Sequence, residues 1–405
     1  MTKLIIKSIG PVSDIEIELN KVNVFMGPQS SGKSTIAKII SYCQWVEKRF
    51  LLDGKYEESI ENQLLDFHRL SKDYFSKNSY FEYRTDFVKI SYKWGDKKEN
   101  IIEIEDDGNY KKTKNIYIPS ERNFVSVMPD LRNYKAPFDN IMSFVYDWYS
   151  AKRSFQKNDA FSVLNLDVEF HNDKEKDLDL ITLKNKKEIY LRTGSSGLQS
   201  VIPLTVLTEY LTNGFYKEEV SPSIAELDHL SKKIRNSGKI VDANYIDGSD
   251  NNLRHKLYFY PEGKEALPIH YHKTQFIIEE PEQNLFPETQ RDLIYYLLNK
   301  IQGEREHSLI LTTHSPYILY AINNCLMGSV ISDKLSEEEK KDFASFNSWI
   351  SPSQVNVFEI DKEKGYLKSI KNPKTGTVDK HYFNTIMNDI MDEYYEMLNY
   401  FEYEE

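Results

Sequence analysis

At 405 residues, with 40% apolar and 28% charged side chains, the sequence has the composition of a folded chain of one large or two ordinary domains. Its net charge of −11 argues against a whole surface built to clamp duplex DNA, which needs a clustered basic face, and leaves local basic patches open. No run of about 18 uncharged apolar residues occurs, Met1-Thr2-Lys3-Leu4 lacks the apolar core of a signal peptide, and Cys43 and Cys325 have neither ligand spacing nor the number for a disulfide framework, so a reducing cytoplasm with no membrane partner is expected.

Residues 3–9 and 14–19 alternate apolar and polar side chains around Gly10-Pro11, which predicts two short strands joined by a turn. The apolar run Val22-Asn23-Val24-Phe25-Met26 then enters Gly27-Pro28-Gln29-Ser30-Ser31-Gly32-Lys33-Ser34, a complete G-x-x-x-x-G-K-S phosphate-binding loop, and the helix-like Thr35-Ile36-Ala37-Lys38-Ile39-Ile40 follows. Strand, loop and helix in that order turn the pattern into a mechanism. The glycines let consecutive N–H groups curl inward, and the helix adds its positive end to the same cavity. A triphosphate fits such a cradle, with Lys33 reaching the β- and γ-phosphates and the Ser34 hydroxyl as one ligand of a Mg²⁺ ion.

Helical spacing of Ile60, Leu64, Phe67, Leu70 and Tyr74 predicts a helix from Tyr56 to about Ser79. Alternation over 80–94 and 100–105 predicts an antiparallel pair, a β-rich flap beside the loop. Asn115-Ile116-Tyr117-Ile118 reads as a short apolar strand stopped at Pro119, where Ser120-Glu121-Arg122 leave for a helical stretch near 137–156. Lys111-Lys112-Thr113-Lys114 and Lys184-Asn185-Lys186-Lys187 are basic clusters of the kind that solvated turns carry. Short strands are expected over 161–192. Gly194-Ser195-Ser196-Gly197-Leu198-Gln199-Ser200 then opens an apolar helix over about 201–211, a second ready anion site, although Ser and Gly also make ordinary caps.

A polar insertion follows, with a helix at 223–235 and a hairpin around Glu262-Gly263; His255, His270 and His272 form no ligand set with a nearby Cys. Gln275-Phe276-Ile277-Ile278-Glu279-Glu280-Pro281 is a buried-type strand that ends in two carboxylates, as a core strand does when the acids face a cation or a reacting water. A helix is expected at 287–301. The strand Ser308-Leu309-Ile310-Leu311-Thr312-Thr313 ends at His314, which Ser315 and Pro316 fix at a helix start. The expected fold class is therefore α/β with a parallel-centred sheet and ligands at the carboxyl ends of its strands. The divisions expected are a nucleotide-binding lobe over 1–121, a helical lobe over 122–212, the insertion over 213–274 and the second part of the core over 275–405. The tail over 383–405 carries seven acids and no base among Ile386, Ile390, Tyr394, Leu398 and Phe401, an amphipathic helix that packs on its own core or docks on a basic partner.

In this order, the phosphate loop, the Ser-Ser-Gly-Leu-Gln element, the strand ending Glu-Glu-Pro-Glu and the strand ending Thr-Thr-His-Ser-Pro resemble ABC-type ATPase heads over nearly the full chain. Ile278 to Pro287 and Tyr117 to Arg122 point to the single-head branch related to recombination and chromosome-maintenance heads, similar to ATPases of bacterial anti-phage systems such as Septu, PARIS and certain retrons. The resemblance implies ATP and Mg²⁺ as cofactors, held by Gly27, Pro28, Ser30, Ser31, Gly32, Lys33, Ser34 and Thr35, with Glu279 as the metal-organising acid. It implies Glu280 as the residue orienting the attacking water and His314 as the switch reporting on the γ-phosphate. Ser195, Ser196, Gly197 and Gln199 would cap the ATP of another subunit in a head-to-tail dimer or higher oligomer, with Asn284 and Leu285 in the loop crossing that interface. Two departures stand out. The metal-organising acid is usually Asp, and Glu279 is a methylene longer, which suits a Mg²⁺ held through water. The Gln expected at the entry to the helical lobe is absent, and Glu121 or Arg122 occupies its place; Arg122 is either a nucleotide sensor there or the partner of a neighbouring acid.

No heptad repeat is sustained between the loop and the Ser-Ser-Gly element, so long coiled-coil arms are not expected, and no fused nuclease can be placed after His314. The leading expectation is an ATP-hydrolysing sensor or scaffold for a separate effector protein in anti-phage defence. The alternative is a DNA-repair head that binds strands or ends, and a transporter subunit ranks last.

Overall fold

The computed structural model describes residues 2–53, 59–95, 101–105, 111–128, 139–217 and 271–401. The helix expected at 223–235, the hairpin at 262–263 and the last residues of the tail lie outside the described residues. Strand β1 (Thr2–Ile9) turns through Gly10-Pro11 into β2 (Val12–Leu19), antiparallel with Ile6 opposite Ile15. Strand β3 (Val22–Met26) is buried throughout and feeds the phosphate loop and α1 (Lys33–Asp53).

The helix expected over 56–79 is broken. In its place are a helical turn at Ile60–Asn62, a π-type turn at Gln63–Phe67 and a 3-10 turn at Lys72–Tyr74. Arg69 takes φ +55°, which no right-handed helix passes through, and the Leu70 amide bonds back to the Leu64 carbonyl at 3.0 Å. The apolar spacing still marks an inward side, since Leu64 and Leu70 are both buried.

Strands β4 (Tyr80–Arg84), β5 (Val88–Lys93) and β6 (Ile101–Ile104) join the first hairpin in an antiparallel sheet of order β2-β1-β4-β5-β6. Strand β7 (Thr113–Ile118) belongs to a different sheet. Past it come α2 (Asn140–Lys152), capped by Asp139, and the antiparallel β8 (Phe161–Ser162), β9 (Glu169–Asp173), β10 (Leu178–Thr182) and β11 (Glu188–Tyr190). Helix α3 (Ser196–Thr212) starts on the Ser-Ser-Gly element itself, earlier than the apolar pattern suggests, because the Ser195 hydroxyl caps the Leu198 amide. The chain then supplies β12 (Lys273–Glu279), α4 (Pro287–Ile301), β13 (Ser308–Thr313), α5 (Pro316–Ile331), β14 (Val355–Ile360), β15 (Leu367–Ser369) and α6 (Tyr382–Leu398).

The central sheet has the order β15-β14-β3-β13-β12-β7, parallel except for the edge strand β15. Its strands read as near-continuous apolar runs because both faces are covered. Val22, Val24, Ile116, Ile118, Phe276, Ile278, Leu309 and Leu311 enter one core with residues of α2 to α5, while Phe25, Tyr117, Ile277 and Ile310 enter another. Helix α1 lies in that second core, between the central sheet and the five-stranded sheet, with Ile36, Ile39, Ile40 and Cys43 all buried. Helix α6 is different. No residue of it is buried, so the expected packing of its apolar face on the core does not occur.

Candidate functional site

Parallel register brings four strand ends to one edge. Ile118 pairs with Ile278, Glu279 with Thr312 and Thr313 with Met26, so Ser120-Glu121, Glu280, His314 and the loop from Gly27 emerge side by side. In the loop, Gly32 takes φ +102°, and a Cβ there would stand 2.8 Å from Val12 Cγ2 in the first hairpin. Ser30, at φ +61°, completes the curl. The Ser31 hydroxyl is buried without a hydrogen-bond partner, and Thr35 is buried in the first turn of α1.

Lys33 folds back onto this loop. Its Nζ donates to the carbonyls of Gly27 (2.9 Å) and Pro28 (2.8 Å) and to His314 Nδ1 (3.1 Å). Burial pushes its ammonium down to about 8. With the Lys33 ammonium donating, His314 Nδ1 accepts from it beside the Gly27 carbonyl, which it also approaches to 3.2 Å, and Nε2–H donates to Glu280 Oε1 at 2.7 Å. That hydrogen bond holds Glu280 below the usual carboxylate range in spite of burial. Loop, lysine, histidine and carboxylate form one connected chain.

Glu280 has φ +43°, a left-handed backbone that a non-glycine residue adopts only when its surroundings impose it. The Glu280 amide donates to the Thr312 carbonyl at 2.9 Å, and its carbonyl accepts from Arg122 at 2.8 Å. Here the expectation for Arg122 needs correcting. Its side chain is fully buried, Nε donates to the Ser200 carbonyl (3.2 Å), Nη1 to those of Glu279 (2.9 Å) and Pro119 (3.4 Å), and Nη2 to those of Glu280 and Pro281 (3.2 Å). All five N–H donors are spent on carbonyls, so Arg122 has none left for a phosphate, and the acids Glu282, Glu280 and Glu279 act on it through their charge rather than through a hydrogen bond. Burial pushes the guanidinium down to about 10. Arg122 ties the turn after β12 to α3.

Glu121, its neighbour, is the residue that reaches the site. With Ser34, Lys38, Ser120 and Glu279 it lines a cleft of about 170 Å³. Glu279 Oε1 is buried without a hydrogen-bond partner, and burial, with the Glu279 carboxylate second, holds the Tyr117 phenol well above its ordinary value. An orphan carboxylate oxygen on the same cleft as a serine hydroxyl, at the helix end of a phosphate loop, fits a hard cation completed by phosphate and water oxygens. Among the described residues no group of three or more His, Cys, Asp and Glu side chains could hold a metal alone, which a Mg²⁺ bound with its nucleotide does not need.

Sequence reasoning gave no role to Glu282. Its Oε1 accepts from the His314 amide (2.6 Å) and the Thr313 hydroxyl (2.9 Å), and burial raises its carboxyl above the usual value. It clamps the end of β13 to the turn after β12. The third acid of Glu-Glu-Pro-Glu was the signal, and its target could not be read locally.

Ser195 and Ser196 are exposed at the start of α3, outside the contacts of Lys33, His314 and Glu280. Gly197 lies against the Asn284 carbonyl, which a Cβ would approach to 3.0 Å, and Asn284 Nδ2 donates to the Ser200 hydroxyl at 3.0 Å. Gln199 Nε2 donates to the carbonyls of Arg192 (2.9 Å) and Gly194 (3.1 Å), so this side chain braces its own loop.

No protein-family model and no curated protein matches the chain. Among solved structures it is similar to an SMC head domain from Thermotoga maritima, at 13% identity and TM-score 0.37 over 79% of this chain and 90% of that one. It is also similar to the Smc head domain with an extended coiled coil bound to the C-terminal domain of ScpA from Pyrococcus furiosus (8%, 0.41, 97% and 99%). A dimeric bacterial ABC transporter cassette, MJ0796, gives 10%, 0.33, 92% and 100%. Overlaps this loose carry no argument, and the functional reading rests on the residues of the site.

Proposed function

We propose that this chain is an ABC-type ATPase head that closes ATP and Mg²⁺ between its own phosphate loop and the α3 start of a second copy, so that hydrolysis sets its state of assembly. The observation that carries this is the connected chain from the Gly27 carbonyl through Lys33 and His314 to Glu280. Phosphoryl transfer to water needs positioning and charge neutralisation rather than covalent chemistry. Lys33 exchanges its loop carbonyls for β- and γ-phosphate oxygens. Glu280, held ionised by His314, accepts a hydrogen bond from the attacking water and orients it. His314 spans the two and registers the γ-phosphate through Lys33. Ser34 and Glu279 would hold the Mg²⁺, which neutralises phosphate charge when bound.

Head-to-tail closure is supported by the exposed amide-bearing start of α3 at Ser195-Ser196 and by Phe286, 75% exposed beside the Asn284-Leu285 turn. By its motif resemblance, the assembly serves as sensor or scaffold for a separate effector in anti-phage defence; ATPase activity that rises with DNA and falls steeply with salt would favour the DNA-repair reading instead. The test is Glu280→Gln. ATP binding is retained, hydrolysis falls by about 10²- to 10⁴-fold, and light scattering shows a mass that doubles with ATP and Mg²⁺ and stays doubled. Parental turnover in the variant overturns the reading.

A further inference from the structure

Helix α6 is amphipathic the wrong way round. Its polar residues Asn384, Asn388, Asp389 and Asp392 face the body across a cleft of about 700 Å³ shared with Leu319 and Tyr320 of α5. Apart from Phe383, which packs on the core at the start of the helix, its apolar residues face outward. Met387, Ile390, Tyr394 and Met397 are 60%, 60%, 54% and 58% exposed, with Ile386, Met391 and Leu398 exposed on their flanks. An ordinary surface helix buries that stripe against its own core.

The spacing of the stripe says what covers it. Met387, Ile390, Tyr394 and Met397 recur at alternating intervals of three and four, the period of a seam between paired helices. Together the seven residues form one contiguous exposed apolar face along the helix, unlike the single scattered apolar side chains of an ordinary monomer surface. The acids do not address a partner of opposite charge. Asp389 and Asp392 turn to the cleft, Glu396 follows them by helical spacing, and only Glu393 edges the seam. A seam that is apolar across its width, with acids of one sign kept off it, pairs with itself under a two-fold axis without like charges meeting.

We infer that α6 joins two copies of this chain through this face, independently of nucleotide. The contact is separate from the shared ATP sites, so it links heads whether or not ATP is bound. Light scattering of the full chain without nucleotide, over a wide concentration range, tests it. The parent is dimeric, and the double variant Ile390→Asp, Tyr394→Asp halves the mass while still binding a fluorescent ATP analogue. Both substitutions are at exposed positions, so the fold does not depend on them. A parent that is monomeric at every concentration without nucleotide, or a double variant with the parental mass, overturns the proposal. If the double variant fails to bind nucleotide, single variants Met387→Cys, Ile390→Cys and Tyr394→Cys with a short bismaleimide linker decide instead. Nucleotide-free cross-linked dimers support the contact, and their absence from all three refutes it; the native Cys43 and Cys325 are buried and do not compete. None of these measurements uses hydrolysis, so the outcome stands apart from that of Glu280→Gln.

Discussion

Glu280 holds a backbone conformation that costs of the order of 1–3 kcal/mol, and Arg122 is what the surroundings use to impose it. Its guanidinium gathers the carbonyls of Glu279, Glu280 and Pro281 and adds that of Ser200 on α3. Under the proposed function, Arg122 is thus a positioning residue, acting through the Glu280 backbone. Arg122→Ala would leave these carbonyls dry and cost about 3 kcal/mol or more. Arg122→Lys is the informative change, because it keeps the charge and offers three donors in place of a planar fork of five. We expect kcat to drop at least about tenfold, with the ATP dissociation constant nearly unchanged. Equal loss in binding and turnover would mean that Arg122 only supports the fold. The Arg was visible in the sequence; its partners beyond Pro119, 78 to 159 residues away, were not.

At the scale of elements, α1 is tied to the five-stranded sheet by a buried acid. Glu47 accepts from the Thr85 hydroxyl at 2.6 Å and the Tyr83 phenol at 3.3 Å, and burial pushes its carboxyl up to about 7 from an ordinary 4.5. A carboxyl raised on folding favours the protonated form. Its stability is full below about 4.5 and is lost as pH rises through about 7, where the native state must bury the charge. Glu47→Gln removes that charge, keeps one carbonyl oxygen as acceptor and puts an amide donor in place of the other oxygen. It should stabilise by up to about 3 kcal/mol at pH 8 and by much less at pH 5, read by urea unfolding. A gain of the same size at both pH values would show that ionisation is not the cause. The stretch over 56–79 teaches a related lesson. Apolar spacing identified its inward residues, but the reversal at Arg69, whose side chain meets Glu121 and Asp139, is encoded by no local pattern.

For the whole molecule, a shared site predicts complementation. Lys33→Ala removes the phosphate-loop cation and Ser196→Arg blocks the α3 start, and each homogeneous protein should be inactive. In an equal mixture, half the head-to-tail dimers pair one of each, and such a dimer has one doubly damaged and one intact site. About a quarter of the parental ATPase should return if sites act independently. No recovery on mixing would mean that Ser196 serves its own subunit or none.

The phosphate loop, the buried strands ending in Glu279-Glu280 and His314, and the α4 boundaries were determined by the sequence itself. Each rests on short-range chemistry: φ at glycines, caps, prolines and the apolar runs of strands covered on both faces. Tertiary structure alone decided that Arg122 pins the Glu280 turn while Glu121 reaches the cleft beside Ser34 and Glu279, that Glu282 clamps His314, that Gln199 braces its own loop, and that α6 turns its apolar face outward. In each case the side chain's role is set by which distant backbone or surface packs beside it, and spacing along the chain carries no record of that.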